Sequence, residues 1–396
     1  MAILVLNSGS SSLKFRLYAA APDGALRPGP GGAITRFGAD AEWHWQENGR
    51  RERGRARLRD QREATGWLLR RLTQAPSGAI DAIGHRVVHG GETFTAPVLL
   101  TPEIVARLEA LSPLAPLHNP PALAVIRACR EALGEDLPMV AVFDTAFHAT
   151  LPEAARLYAL PADWVRAGGL RRYGFHGLAH RSMYERWLAL CPQRPARPRV
   201  ITFQLGHGCS ACAIDDGVSC ETSMGYTPLE GLIMATRAGD VDPGVFARLA
   251  AQGVDAAALE DGLNHRSGLR ALGGSDDMRE LLAREAGGDP DARRAVEAFC
   301  HRARKYLGAY LAVLGGADAV LFGGGIGEHA PAIRARICEG ARWCGLHLEP
   351  RANAAAVGTE ARISAPDSAI AAYVITVDEE ILVARDARAL LALPRT

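Results

Sequence analysis

Apolar positions in this chain fall in short runs separated by small polar turns. Residues 3–6 are continuously apolar, residues 7–14 are small and polar, and residues 15–18 alternate. That pattern predicts a strand, a tight turn and a second strand pairing back on the first. Residues 22–32 are rich in Pro and Gly and read as a loop. Arg51, Arg53, Arg55, Arg57 and Arg59 recur at strand period and predict the solvated face of an edge strand. Residues 64–72 read as a helix, and residues 79–83 as a short strand. Thr101 and Pro102 predict a helix over residues 102–110, with Thr as N-cap and Pro in the first turn. The prolines in residues 114–121 predict an extended loop carrying His118.

Residues 139–143 read as a buried strand, and a helix is expected through Tyr184 and Leu188. Residues 200–205 then repeat the opening pattern: an apolar strand, a turn of Gly and polar residues, and a second strand over 211–214. Two such units near the starts of the two halves predict a duplicated fold, with the two hairpins facing one another across a cleft. Residues 319–323 run as a strand into a glycine-rich turn, followed by a helix through Ile333 and Ile337. The chain closes with a strand over 373–377, an acidic corner at Asp378, Glu379 and Glu380, and a C-terminal helix.

At 396 residues, two or three domains are expected. A hydrophobic fraction of 48% and a charged fraction of 22% are ordinary for a globular protein. Net charge is +1, which argues against a nucleic-acid or membrane partner recognised through a global field. The first residues lack a basic leader and no apolar run is long enough to span a bilayer, so a cytoplasmic location is expected. In that setting the eight cysteines are expected as reduced thiols. Of the 45 basic residues only Lys14 and Lys305 are lysines, which singles out Lys14 in the first turn.

The candidate chemistry sits where strands end. The turn of Ser, Gly and Lys14 offers backbone N–H groups, hydroxyls and a cation to phosphate oxygens, or is a plain polar hairpin. Arg86 lies in Gly84-His-Arg-Val-Val-His-Gly-Gly91 and suits a carboxylate or phosphate, or pairs with an internal acid. Asp144 follows a buried strand, where open α/β sheets place ligands, or caps the next segment. His176 is flanked by glycines, and Arg237 lies on a second glycine-rich loop. In the stretch Gln204-Leu-Gly-His-Gly-Cys-Ser210, Cys209, Cys212 and His207 also have the types and spacing of a zinc or thiol-regulated site, with Cys220 as a further donor in principle.

Taken in order, seven motifs over nearly the whole chain resemble the acetate kinase family. They are Asn-Ser-Gly-Ser-Ser-Ser-Leu-Lys at 7–14, Gly-His-Arg-Val-Val-His-Gly-Gly at 84–91, Leu-Ala-Pro-Leu-His-Asn-Pro-Pro at 114–121, Phe-Asp-Thr-Ala-Phe-His at 143–148, Tyr-Gly-Phe-His-Gly at 173–177, Glu-Thr-Ser-Met-Gly at 221–225 and Gly-Ile-Gly-Glu at 325–328. The resemblance implies a duplicated two-domain α/β fold of the actin-like, sugar-kinase-like (ribonuclease H-like) type. It implies a domain over 1–148 completed by the helix at 380–396, and a nucleotide-binding domain over 149–379.

The activity implied is reversible, Mg²⁺-dependent (or Mn²⁺-dependent) transfer of a phosphoryl group from ATP to acetate, giving acetyl phosphate and ADP, in a homodimer. Variants of the same reading are a propionate or butyrate acceptor and a donor other than ATP. By the family pattern, Arg86, Arg237, His176, Asp144, Asn7 and His118 carry the chemistry, and Val88, Leu117 and Pro228 wall the methyl pocket. Ser10, Ser12, Lys14, His207, Gly208, Asp277, Arg279, Gly325, Ile326 and His329 bind the nucleotide, and Asn7 and Glu379 hold the metal. The chain departs from the pattern on the nucleotide side, where His207 and Cys209 replace an amide and a hydroxyl and His329 and Asp378 replace asparagines.

Overall fold

The computed structural model describes residues 1–9, 11–74 and 80–393. Ser10 and the beginning of the strand expected at 79–83 therefore lie outside the described residues. The chain divides into two compact units, one formed by Met1–Ala146 with the segment from Asp378 onward, the other by Phe147–Val377.

The first unit is built on strands β1 (Ala2–Ser8), β2 (Ser12–Ala20), β3 (Leu26–Thr35), β4 (Gly38–Glu47), β5 (Arg50–Leu58), β6 (Ala82–Val87), β7 (Val98–Leu99) and β8 (Met139–Phe143). They form one sheet in the order β5-β4-β3-β2-β1-β6-β8-β7. The second unit carries β9 (Arg199–Leu205), β10 (Cys209–Asp215), β11 (Val218–Thr222), β12 (Ala319–Gly323), β13 (Ala361–Arg362) and β14 (Ala371–Val374), in the order β11-β10-β9-β12-β14-β13.

The two sheets share a plan. β1 is antiparallel to β2 and parallel to β6, which is parallel to β8. In the same way β9 is antiparallel to β10 and parallel to β12, which is parallel to β14. The repeated strand-turn-strand pattern at residues 3 and 200 thus marks the central hairpin of each sheet. All five residues of β8 and of β12 are buried, as strands covered on both faces require.

The C-terminal helix, Glu379–Leu391, buries Leu382, Val383, Ala384 and Ala387 within the first unit. It lies so close to β6 that a Cβ added to Gly84 would stand 2.7 Å from Val383 Cγ1.

Three local expectations are corrected. Residues 26–35 form a strand despite their Pro and Gly. Between the pairs Arg16–Gly31 and Tyr18–Pro28 the ladder shifts register, so that Gly29 and Pro30 stand against Leu17 alone. The bulge accommodates prolines that have no N–H to donate, and a Cβ at Gly32 would lie 2.0 Å from the His44 carbonyl oxygen. Residues 119–121 are helical rather than extended, because Pro120 and Pro121 occupy the first turn of Asn119–Leu133, where no N–H is missed. The glycine-rich stretch after β12 is a short helix, Gly324–His329, rather than an open turn. β5 lies at the sheet edge with its arginines largely exposed, as the strand-period pattern predicts, and Thr101 caps Pro102–Ala110 by accepting from the Ile104 N–H.

Candidate active site

In the first unit, parallel pairing sets Asn7 of β1 beside Arg86 of β6. β6 also runs parallel to β8, whose last residue is followed by Asp144. Arg86 Nε donates to Asp144 Oδ1 at 2.9 Å, its Nη2 donates to Oδ2, and its Nη1 donates to Asn7 Oδ1 at 3.0 Å. Glu379 Oε2 lies 3.5 Å from Arg86 Nε. Asp144 is 1% exposed and Arg86 15%. Burial pushes the Asp144 carboxyl up, the Arg86 guanidinium offsets only part of that and Glu379 adds to it, so the net shift is upward.

The acidic corner divides its labour. Asp378 caps the C-terminal helix by accepting from the Ile381 N–H at 3.0 Å, and Glu380 pairs with Arg16 at 2.9 Å. Glu379, 19% exposed, is the member directed to Arg86.

Val88 is buried immediately past β6. His118 precedes the Asn119–Leu133 helix, and Asn119 ties that helix to the loop after β6. Its Oδ1 accepts from His89 N–H at 3.1 Å and its Nδ2 donates to the His89 carbonyl at 3.0 Å. Sequence reading passed over Asn119, although its place between His118 and two prolines in a recurring motif was a signal. Leu117 is 42% exposed. Lys14 is the cross-strand neighbour of Asn7 and points to solvent, and Ser12 opens β2.

In the second unit, Gly208 in the turn between β9 and β10 is the meeting point. A Cβ there would lie 3.2 Å from His176 Nε2 and 3.6 Å from Arg237 Nη1, so both side chains flank this backbone. His176 has φ +58° at the start of the helix Gly177–Leu190 and its Nδ1 is 2.9 Å from Ser210 Oγ.

Arg237 sits on a loop held by backbone bonds from Ala235 N–H to the His207 carbonyl and from Met234 N–H to the Arg237 carbonyl, both at 3.1 Å. Its Nη1 reaches only the Pro228 carbonyl at 3.4 Å and Met234 Sδ at 3.8 Å. Among the described residues no carboxylate pairs with it, and burial lowers its proton affinity. A half-buried cation without a counter-charge is costly, and an anion at this loop would offset that cost.

A cavity of about 630 Å³ in the same unit gathers His207, Asp277, Arg279, Gly325, Ile326 and His329, together with Met278 and Leu282, which sequence reading did not assign. Its size and mixed lining suit a small organic ligand such as a nucleoside. Asp277 caps the helix Met278–Ala286, and the Arg279 side chain folds back on it, holding the Asp277 carboxyl down at about 2. His329 Nδ1 lies 3.2 Å from the Gly325 carbonyl. His207 is exposed, and its proton affinity falls through partial burial first and then through Arg237.

The zinc reading of Cys209, Cys212 and His207 gains no support. Cys209 and Cys212 stand three apart on β10, where alternation sends them to opposite faces. Burial pushes the Cys209 thiol up to about 12 and Cys212 higher still. Among the described residues no three His, Cys, Asp or Glu side chains are grouped to hold a metal.

Comparison with known proteins agrees with this geometry. The family model described as the Acetokinase family matches residues 2–385. An acetate kinase of Solibacter usitatus is 44% identical over 98% of this chain and 97% of its own, and one of Chloroherpeton thalassium is 43% identical over 98% of each. Among solved structures, an acetate kinase of Porphyromonas gingivalis superposes with a TM-score of 0.90 at 37% identity, covering 98% of this chain and 99% of that one. A propionate kinase of Francisella tularensis gives 0.90 at 35%, covering 97% and 98%. The two sheets are accordingly those of the actin-like kinase fold, and the chain belongs to the acetokinase family, whose members transfer a phosphoryl group to a carboxyl acceptor.

Proposed function

We propose that this chain phosphorylates acetate with ATP and Mg²⁺, forming acetyl phosphate and ADP, and runs the reaction in reverse. The observation that carries the phosphoryl side of this reading is the half-buried guanidinium of Arg237, without a carboxylate partner among the described residues, beside Gly208 and His176. An acceptor carboxylate oxygen attacks the terminal phosphorus of the nucleotide, the bond to the bridging oxygen breaks, and that oxygen leaves with the diphosphate. Negative charge spreads over the equatorial oxygens meanwhile, so catalysis is chiefly positioning and charge neutralisation. In this reading Arg237 and His176 bind the moving phosphoryl group, and Arg86, aimed by Asp144 and Asn7, binds the acyl carboxylate.

His118 assists on the acceptor side, and Val88, Leu117 and Pro228 wall the acyl group. By the family pattern, Ser10, Ser12 and Lys14 bind phosphate oxygens, and so does the Gly208 turn. The nucleoside occupies the cavity bounded by Asp277, Arg279, Gly325, Ile326, His207 and His329. Asn7 and Glu379 would hold Mg²⁺ or Mn²⁺ together with water, a donor set of oxygens that suits a hard cation. Bound there, the ion would neutralise phosphate charge. Cytoplasmic location and a homodimeric state belong to the same reading. Among the described residues no helix is long and apolar enough to cross a membrane.

Trapping acyl phosphate as the hydroxamate tests the proposal, with acetate, propionate and butyrate each offered ATP, GTP or diphosphate. Turnover with acetate and ATP is expected, and no turnover with any pair in the presence of Mg²⁺ would sink it. The structural likeness to a propionate kinase favours one second reading, a longer acyl acceptor, since one methylene in an apolar pocket discriminates by only about 1–3 kcal/mol.

A further inference from the structure

Behind His176 runs a buried file of hydrogen-bonding groups that none of the roles above uses. His176 Nδ1 lies 2.9 Å from Ser210 Oγ, and the same oxygen lies 2.8 Å from His180 Nε2. His180 Nδ1 lies 2.7 Å from Thr202 Oγ1, whose remaining contact is the Cys212 carbonyl at 3.4 Å. Ser210, His180 and Thr202 are each fully buried, so no bulk water can substitute for a missing partner.

Local sequence explains the alignment. His176 stands immediately before the helix that carries His180, and the His180 N–H donates to the His176 carbonyl at 2.9 Å, which keeps the two residues one turn apart. Ser210 and Thr202 lie on adjacent strands, β10 and β9, whose antiparallel pairing sets Ser210 beside Gln204 and Cys212 beside Thr202.

We propose that Ser210 and His180 are positioning residues that place the proton of His176 on Nε2, so that a neutral imidazole donates to the phosphoryl group held by Arg237. The inference rests on the phosphoryl-binding role of His176 and deepens it. Proton counting carries the argument. Each hydroxyl has one proton, and a buried neutral His180 has one N–H, so the file has only two polarities.

In one, Thr202 donates to His180 Nδ1, His180 Nε2–H donates to Ser210, and Ser210 donates to His176 Nδ1, leaving the His176 proton on Nε2. In the other every bond is reversed, His176 carries its proton on Nδ1, and Thr202 turns to the Cys212 carbonyl. The reversed polarity gains only that long 3.4 Å bond, and it presents a bare ring nitrogen on the side of Gly208 and Arg237. An anion at Arg237 repels that lone pair and accepts from an N–H, which selects the first polarity by a charge-assisted bond.

His148 packs edge-on to His180 with ring centroids 5.8 Å apart, and Arg237 faces His176 across Gly208. His148 donates its Nε2–H to the Phe175 carbonyl at 3.1 Å, its Nδ1 lies 2.8 Å from Ser219 Oγ, and burial lowers its proton affinity.

Two measurements test the proposal. Ring nitrogen shifts of ¹⁵N-histidine protein at pH 7.5 with ADP and inorganic phosphate, assigned with His176→Gln, report the His176 tautomer whether or not the chain makes acyl phosphate. The neutral Nε2–H form is expected, and either the Nδ1–H form or an imidazolium overturns the proposal. Kinetically, Ser210→Ala is expected to lower kcat by about ten- to a hundredfold with KM little changed. Its residual kcat should rise as pH falls, because a protonated imidazole carries Nε2–H whatever the polarity of the file. Ser210→Thr, which keeps the hydroxyl, should restore a flat profile. A Ser210→Ala enzyme with the wild-type kcat and pH profile overturns the relay, as does equal loss in Ser210→Ala and Ser210→Thr. Failure of the wild type to form any acyl phosphate would count against the kinase reading and leave the tautomer result standing.

Discussion

Arg86 and Asp144 meet in a two-point ion pair, Nε to Oδ1 at 2.9 Å and Nη2 to Oδ2, with the carboxylate almost wholly buried. The arginine pairs with an internal acid, and the acid aims the arginine, with Nη1 directed toward Asn7.

Removing Arg86 leaves an uncompensated buried charge, which costs about 3–5 kcal/mol. Arg86→Ala is therefore expected to lose stability as well as turnover, visible as a lower urea midpoint. The double variant Arg86→Met/Asp144→Leu should recover much of that stability and none of the activity. An Arg86→Ala protein as stable as wild type would contradict the pairing.

Arg237 stands in the opposite position, half-buried and without a carboxylate among the described residues. Arg237→Met is expected to leave the thermal midpoint unchanged or raise it, while kcat falls by roughly a hundredfold or more through loss of a charge-stabilising group. A variant that lost stability and kept kcat would show that Arg237 is structural.

Gly208 has no backbone need for glycine, since its φ is not positive, yet a Cβ there would press on the His176 ring at 3.2 Å and approach Arg237. Gly208→Ala should fold with an unchanged midpoint and lose about tenfold or more in kcat/KM for the phosphoryl donor through misplacement of these groups. Gly325 offers the converse test, because a Cβ at Gly325 meets nothing within 4 Å and the residue lines the cavity. Gly325→Leu should raise KM for ATP and leave acetate KM alone; an unchanged nucleotide KM would move the nucleoside elsewhere.

Buried neutral histidines make stability depend on pH. Burial pushes His148 down to about 4 and His85 to about 3. As pH falls, the unfolded chain, with histidines near 6.5, takes up protons before the folded one does. The stability tied to His148 is thus fully present above about 6.5 and is lost between there and about 4, amounting to about 3 kcal/mol. Urea midpoints measured from pH 7.5 to 4.5 should fall, and His148→Asn should flatten part of that slope. A midpoint independent of pH across this window would contradict the burial.

Family, fold class and most strands were legible in the sequence, because alternation and apolar runs report which backbone segments face a core, and glycine, proline and Thr caps report where they stop. The repeat at residues 3 and 200 identified the central hairpin of each sheet for the same reason. Tertiary structure decided which charges cancel. Two arginines in similarly glycine-rich stretches are indistinguishable locally, yet Arg86, on β6, finds Asp144 58 residues away while Arg237, on a loop, finds no acid among the described residues. It also decided that residues 26–35 are a strand, through a bulge that only pairing with β2 defines, and it gathered Ser210, His180 and Thr202 behind His176. Local pattern sets the elements; partners distant along the chain set the electrostatics, and those come together only on folding.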